Sequence, residues 1–305
     1  MTAQAPIGSG FGWDSTADDV LTGIDLTGRL AIVTGGYSGI GVETTRALAR
    51  AGAHVVVPAR RVEVAREAVA DVAEVDELDL ADLASVRAFA DRFHASCRRI
   101  DIVINSAGVM VCPEIRVGKG WELQFAANHL GHFALVEALR PAFADDVRVV
   151  AVSSAGHQHT DIRWDDPHFE RGYDKVLAYG QSKTANVLFA VQLSAQGVPA
   201  FAVHPGKILT PLQRHMERRE MVGNGWIDED GNPIDPTFKS PRQGAATQVW
   251  AATSPRLAGL GGLYLEDCDV ARPNNTAEKG WGVRDYALDP ASAARLWELS
   301  AQLTG

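Results

Sequence analysis

The chain has 305 residues, 46% of them hydrophobic and 22% charged, enough for the buried core of one large domain or two small ones. A formal net charge of −9, from 29 basic and 38 acidic residues, excludes the basic footprint of a nucleic-acid partner. Cys97, Cys112 and Cys268 are too few and too unevenly spaced for a disulfide or zinc framework, and neither a signal peptide nor an apolar run of the ~20 residues that span a bilayer is visible, so the expectation is a cytoplasmic protein with no membrane partner.

Residues 1–27 read as a lead-in with a short helix in STADDVLTG, and RLAIVTG (29–35) as the first strand. TGGYSGIG (34–41) follows directly and opens a helix over 41–52. Gly35, Gly39 and Gly41 let the backbone turn sharply and approach a pyrophosphate at the helix N-terminus. The spacing is G-x-x-x-G-x-G; a plain strand-to-helix turn is the other reading, and the position in the first βαβ unit favours the nucleotide. HVVVPA (54–59) is the second strand, followed by a helix over 62–72. Dinucleotide folds place a ribose-binding acid at the end of this strand. Here Ala59 stands in that place and Arg60 and Arg61 follow. A guanidinium grips a 2′-phosphate that an acid would repel, which favours NADP(H) and leaves NAD(H) open. Two solvated arginines at a helix start are the alternative.

A third strand lies in EVDELDL (74–80), a helix over 81–96, a fourth strand in IDIVINSAG (100–108), and a long helix over 119–143. VRVVAVSSAG (147–156) is strand five, VPAFAVHPG (198–206) strand six and GGLYLED (261–267) strand seven, with helices to about 196 and over 241–253. Strands alternating with helices require right-handed crossovers and a parallel sheet covered on both faces. The expected fold is a single doubly wound α/β Rossmann domain over 28–305 with strand order 3-2-1-4-5-6-7. The irregular stretch 207–240 is read as a mobile substrate lid.

In YGQSK (179–183), Tyr179 and Lys183 share one helical face. An ammonium there stabilises phenolate and lowers a pKa of about 10, making the tyrosine a proton donor or acceptor; a half-buried tyrosine beside a snorkelling lysine is the alternative. His157 and His159, with Asp161 beyond, lack a third metal ligand at a recognisable spacing and are assigned to the substrate mouth. Asp228, Asp230 and Asn232 begin like a calcium loop, but Pro233 stands where glycine is needed. No metal is expected.

TGGYSGIG, NSAG (105–108), Ser153–Ser154, YGQSK and HPGKILT (204–210) occur in the order of the short-chain dehydrogenase/reductase family, which the chain resembles over 28–266. STADDVLTGIDLTG and YLEDCDVA resemble the branch holding retinol dehydrogenases and the WW-domain oxidoreductase, here without membrane anchor or WW modules. The resemblance implies that Tyr179 is the acid/base, that Lys183 tunes it and bonds the nicotinamide ribose, that Ser154 holds the substrate oxygen, and that Asn128 anchors a relay water. Ser154 is preferred to Ser153 because adjacent strand residues face opposite ways and the family places its working serine second. Cofactor contacts carry over to Gly35, Tyr37, Ser38, Gly39, Ile40 and Gly41 in the turn, and to Asp79 (adenine amino group) and Leu80. They carry over likewise to Asn105, Ala107 and Gly108 under the cofactor, and to Pro205, Gly206, Ile208 and Thr210 toward the nicotinamide. NSAG replaces the usual NNAG but keeps Asn105.

The implied activity is hydride exchange between a nicotinamide cofactor and a small-molecule carbonyl or alcohol of medium to large, lipophilic character, in a homo-dimer or homo-tetramer. A non-catalytic dinucleotide sensor is the alternative, although it has no need of Asn128, Ser154, Tyr179 and Lys183 together. A sugar-nucleotide-modifying extended relative is the other, and such proteins usually have a larger C-terminal domain.

Overall fold

Strands that are apolar at every position need an apolar neighbour on each face. The computed structural model, which describes residues 3–305, has β1 (Leu30–Thr34), β2 (His54–Ala59), β3 (Glu74–Glu77), β4 (Ile100–Asn105), β5 (Phe143–Val152), β6 (Ala200–His204) and β7 (Leu263–Glu266), and it meets this need at the central strands while the polar β3 lies at the edge. Alternate residues point to opposite faces. Ala31, Val33, Ile104, Val152 and Phe201 join one cluster with Leu48 and Trp250. Ile32, Val103, Val149 and Ala202 join the other with Phe89, Phe133 and Phe189.

The sheet order is β3-β2-β1-β4-β5-β6-β7, as the rhythm of the sequence requires, with all neighbours parallel. An eighth strand, β8 (Asp269–Val270), adds antiparallel to β7. Its turn, Asp267 and Cys268, holds two consecutive left-handed residues (φ 47° and 60°), the geometry of a two-residue hairpin made without the usual glycine signal. The lead-in is tied to this edge. The Gln4 amide donates to Tyr264 O and Ala271 O (both 2.7 Å), and the N–H groups of Ile7, Gly8 and Ser9 converge on the Asp269 carboxylate at 2.9, 3.0 and 3.2 Å.

Three helical expectations are corrected. The span 119–143 is not one helix: a Trp121–Glu122 bridge strand precedes a short helix (Leu123–Phe125), a π-turn (Ala126–Leu130) and a helix over Gly131–Leu139. A methyl on Gly131 would run into the Leu80 carbonyl, so helix and β3 exit loop meet backbone to backbone. The helix carrying YGQSK starts earlier, at Lys175, where Asp174 caps the N–H groups of Val176 and Leu177 at 2.8 and 2.9 Å, and runs to Ala195. A further helix, Pro290–Thr304, follows the seventh strand and stacks Trp297 flat on Phe189 (5.7 Å, 8°). Among the described residues no helix is long and apolar enough to cross a membrane.

Candidate active site

Parallel strands end together at their carboxyl edge, and here the register aligns Thr34 with Asn105 and Asn105 with Ala151. The glycine turn leaves β1 at this edge. Gly35 and Gly39 take left-handed φ values of 67° and 55°. A methyl on Gly41 would collide with the Gly35 carbonyl, and one on Gly35 would approach the Ala107 backbone, so the turn and the NSAG loop are packed at glycine distance. Ser38 is the N-cap of the Gly39–Arg50 helix and makes no side-chain capping bond, leaving the first N–H groups for a ligand. Asn105 is 1% exposed, with neither side-chain polar atom partnered among the described residues. An orphaned amide beneath a glycine turn fits a bound dinucleotide.

Tyr179, Lys183 and Ser154 converge beside this floor. Tyr179 is 7% exposed, and the Lys183 ammonium lies 5.6 Å from its ring centre. Lys183 Nζ donates to Val152 O at 3.0 Å. Ser153 Oγ donates to Lys183 O at 2.8 Å, so that serine is spent on the helix. Ser154 caps the turn Ala155–His159 and accepts from Gly156 N at 3.0 Å. A methyl on Gly156 would lie 2.8 Å from the Tyr179 ring and 3.4 Å from Ser154 Oγ, which places both groups around one point. Asn128 sits in the π-turn, a distortion frequent at functional sites. Its Oδ1 accepts from Val109 N (2.8 Å) and its Nδ2 donates to Val109 O and Ser182 Oγ (both 2.9 Å).

Burial acts against the charged forms of both Tyr179 and Lys183. Burial pushes the Tyr179 phenol up to about 12, with the Ser154 hydroxyl acting in the opposite sense. Burial also pulls Lys183 down to about 8. In a site this dry, loss of hydration acts against both charged forms, and the ammonium is committed to a carbonyl. The phenol is therefore held protonated.

Arg60 and Arg61 line an open cleft of about 730 Å³ past β2, with Arg66, Arg92, Asp76 and Glu77. Arg66 pairs with Glu63 (2.6 Å) and Arg92 with Asp76 (3.0 Å), whereas among the described residues no carboxylate pairs with Arg60 or Arg61. The Asp79 carboxylate accepts from Ala81 N at 2.9 Å, and Leu80 borders Gly131. Tyr37 and Ile40 pack on the core beside the turn. After β6, Pro205 is half-buried, Gly206 turns at φ 94° and Ile208 is buried. Thr210 lies against Gly39 and spends its hydroxyl accepting from Leu212 N at 3.2 Å.

The histidine assignment is overturned for His157. His157 is fully buried; its Nδ1 bonds Ser154 O (2.7 Å) and its Nε2 accepts from Arg284 N (3.3 Å), so it braces the serine turn from behind. His159 is exposed and meets Lys279 at 3.3 Å. The wall around the phenol is instead apolar: Met110 and Val111 from the loop after NSAG, and Leu212 and Met216 from 207–240, pack with Tyr179. Behind them, Gln124 accepts from Val111 N at 2.7 Å, and Tyr173 donates to Cys112 O at 2.9 Å. The apolar VMV run after NSAG was the available sequence signal for this wall.

The family model described as short chain dehydrogenase matches residues 29–221, and the chain belongs to the short-chain dehydrogenase/reductase family of oxidoreductases, on its retinol dehydrogenase branch. It is 46% identical to a protein named a probable oxidoreductase of Streptomyces lividans, over 91% of this chain and 98% of that one. Against mouse retinol dehydrogenase 12 the identity is 37%, over 93% and 89% of the two chains. A crystal structure of an uncharacterised protein from Mycobacterium paratuberculosis superposes with a TM-score of 0.72 at 34% identity, covering 96% of this chain and 97% of that one.

Proposed function

We propose that the protein is an NADP(H)-preferring carbonyl reductase and alcohol dehydrogenase for medium-to-large lipophilic substrates, acting in the cytoplasm. The observation that carries this reading is the enclosure of Tyr179 by Met110, Val111, Leu212 and Met216 on one side, with Ser154 and Lys183 on the other. A bound nicotinamide supplies or accepts the hydride; everything else falls to the chain. The glycine turn and the open helix N-terminus hold the diphosphate, Asp79 the adenine amino group, Arg60 and Arg61 the 2′-phosphate, and Lys183 the ribose. Ser154 Oγ donates to the substrate oxygen. Tyr179 gives its proton to that oxygen in reduction and takes it back in oxidation. Asn128 holds the π-turn beside Lys183 on the proton's way out, and residues 207–240 cover the site and exclude water.

NADP(H) is expected to be used with about 10- to 150-fold higher kcat/KM than NAD(H), the worth of one charged hydrogen bond to the 2′-phosphate. The double substitution Ala59→Asp, Arg60→Ala is expected to reverse the order. Steady-state kinetics with both cofactors decide this, and a native preference for NAD(H) defeats it.

In a carbonyl series of rising chain length and ring number, kcat/KM is expected to climb, since each buried methylene contributes about 0.8 kcal/mol. Arg214 and Arg218 lie in the same segment. A clear preference for carboxylated or phosphorylated substrates would assign the pocket to those cations.

A further inference from the structure

His132, the second residue of the Gly131–Leu139 helix that follows the π-turn, is 3% exposed. Both of its ring nitrogens are engaged. Nδ1 lies 3.0 Å from the Asn128 carbonyl oxygen and Nε2 2.8 Å from Thr34 Oγ1. The available donors fix the direction of each bond. Thr34 Oγ1 accepts N–H bonds from Ser106 (3.0 Å) and Ala107 (3.1 Å), which uses both of its lone pairs. Its single proton must point outward, and the ring nitrogen at 2.8 Å is a far better acceptor than the Ile104 carbonyl at 3.4 Å. Nε2 is therefore the acceptor, and Nδ1 carries the proton donated to Asn128. Burial, helped by the nearby Lys183 charge, holds the ring neutral by pulling its pKa down to about 4.

We propose that His132 is a positioning residue that joins the nucleotide floor to the proton-transfer side of the site through one continuous hydrogen-bonded chain. The inference rests on the reading of the 105–108 loop as the cofactor floor and of Asn128 as part of the proton path. The chain begins at the Ser106 and Ala107 N–H groups, passes through the Thr34 hydroxyl and the imidazole to Asn128, and continues through the Asn128 amide to Val109 and to Ser182, the neighbour of Lys183. The two ends of the ring do separate jobs. The Nε2 end orients Thr34 and with it the floor loop; the Nδ1 end holds the carbonyl of the π-turn residue. A methyl on Gly108, between these ends, would lie 3.2 Å from Asn128 Oδ1 and 3.7 Å from Lys183 Nζ, so a small shift of either end reaches the lysine.

The two ends are tested separately in the full-length protein. The terminal amide of Gln reaches the Nε2 position and that of Asn the Nδ1 position. NADPH affinity is read by fluorescence titration and kcat with a lipophilic ketone. His132→Phe, which leaves the Thr34 hydroxyl and the Asn128 carbonyl without their partner, is expected to weaken NADPH binding and lower kcat by about tenfold each. His132→Gln is expected to recover NADPH affinity with kcat still low, and His132→Asn to recover kcat with affinity still low. A Phe variant like the native protein overturns the proposal, as do Gln and Asn variants whose affinity and kcat fall in parallel with melting temperature. If the Phe variant does not fold, the Gln/Asn split decides. Should the native protein bind NADPH but reduce no carbonyl, the reading of the reaction fails, while the affinity arm still tests the floor-side role of His132.

Discussion

Tyr179→Phe is expected to lose about 10²–10⁴-fold in turnover, the usual worth of a positioned proton donor, while binding NADPH within a few-fold of the native protein. The ring itself packs with Met110, Val111, Leu212 and Met216, and Phe keeps that packing. Only the hydroxyl goes. Because burial holds the phenol near 12, it is protonated throughout the neutral range, which is the form that reduction of a carbonyl consumes. Lys183→Ala is expected to behave differently, weakening both cofactor binding and turnover, because its ammonium stands between the floor at Gly108 and the phenol ring. Stopped-flow and steady-state measurements on the two variants separate the effects. A Phe variant retaining more than about a tenth of native turnover rules out Tyr179 as the general acid.

The sheet was legible because its central strands share one pattern, which the polar edge strand β3 lacks. β1, β6, most of β4 and the Val149–Val152 end of β5 are apolar on both faces, and such runs have no stable home outside a doubly covered parallel sheet. The glycine turn was legible for a similar reason: the close approaches of Gly35 and Gly41 leave no room for another residue. What escaped was set by tertiary packing. The close approach of Gly131, just after the π-turn, to the Leu80 carbonyl brings together segments 51 positions apart, and nothing in the local pattern of either announces it. His157 looked like a mouth residue because polarity and proximity to Ser154 are visible in sequence, whereas the backbone donors and acceptors that bury it, Ser154 O and Arg284 N, are not. The i,i+4 spacing of Tyr179 and Lys183 announced proximity correctly. It could not announce that Val152 O takes the ammonium's bond or how deeply both groups are buried. His132 was passed over inside an apolar helix, the context in which a histidine is most easily read as filler.

The two adjacent serines give the last result, and their effects are expected to fall on different measurements. Strand β5 ends at Val152, whose side chain faces the cluster containing Trp250, so Ser153 turns to the opposite face and meets the Lys175–Ala195 helix. Its hydroxyl is 2.8 Å from Lys183 O and buried, and Ser153→Ala is expected to cost about 1 kcal/mol of stability, seen in the melting temperature, with kcat changed little. Ser154 has left the strand. Its Oγ accepts from the Gly156 N–H and its hydroxyl bonds the Tyr179 phenol, so an incoming oxygen is expected to enter between two hydroxyls that already face each other. Removing a donor aimed at a reacting oxygen costs about 10²–10³-fold in kcat, and that loss is expected for Ser154→Ala with little change in melting temperature. The contrast matters more than either number. Both hydroxyls lie within one turn of chain, so a general loosening of the site lowers kcat in both variants alike, whereas a substrate-oxygen contact at Ser154 lowers it in one. A larger kcat loss at Ser153 would show that the working hydroxyl points from the other face of the strand, and equal losses would replace the substrate-oxygen contact with a general loosening.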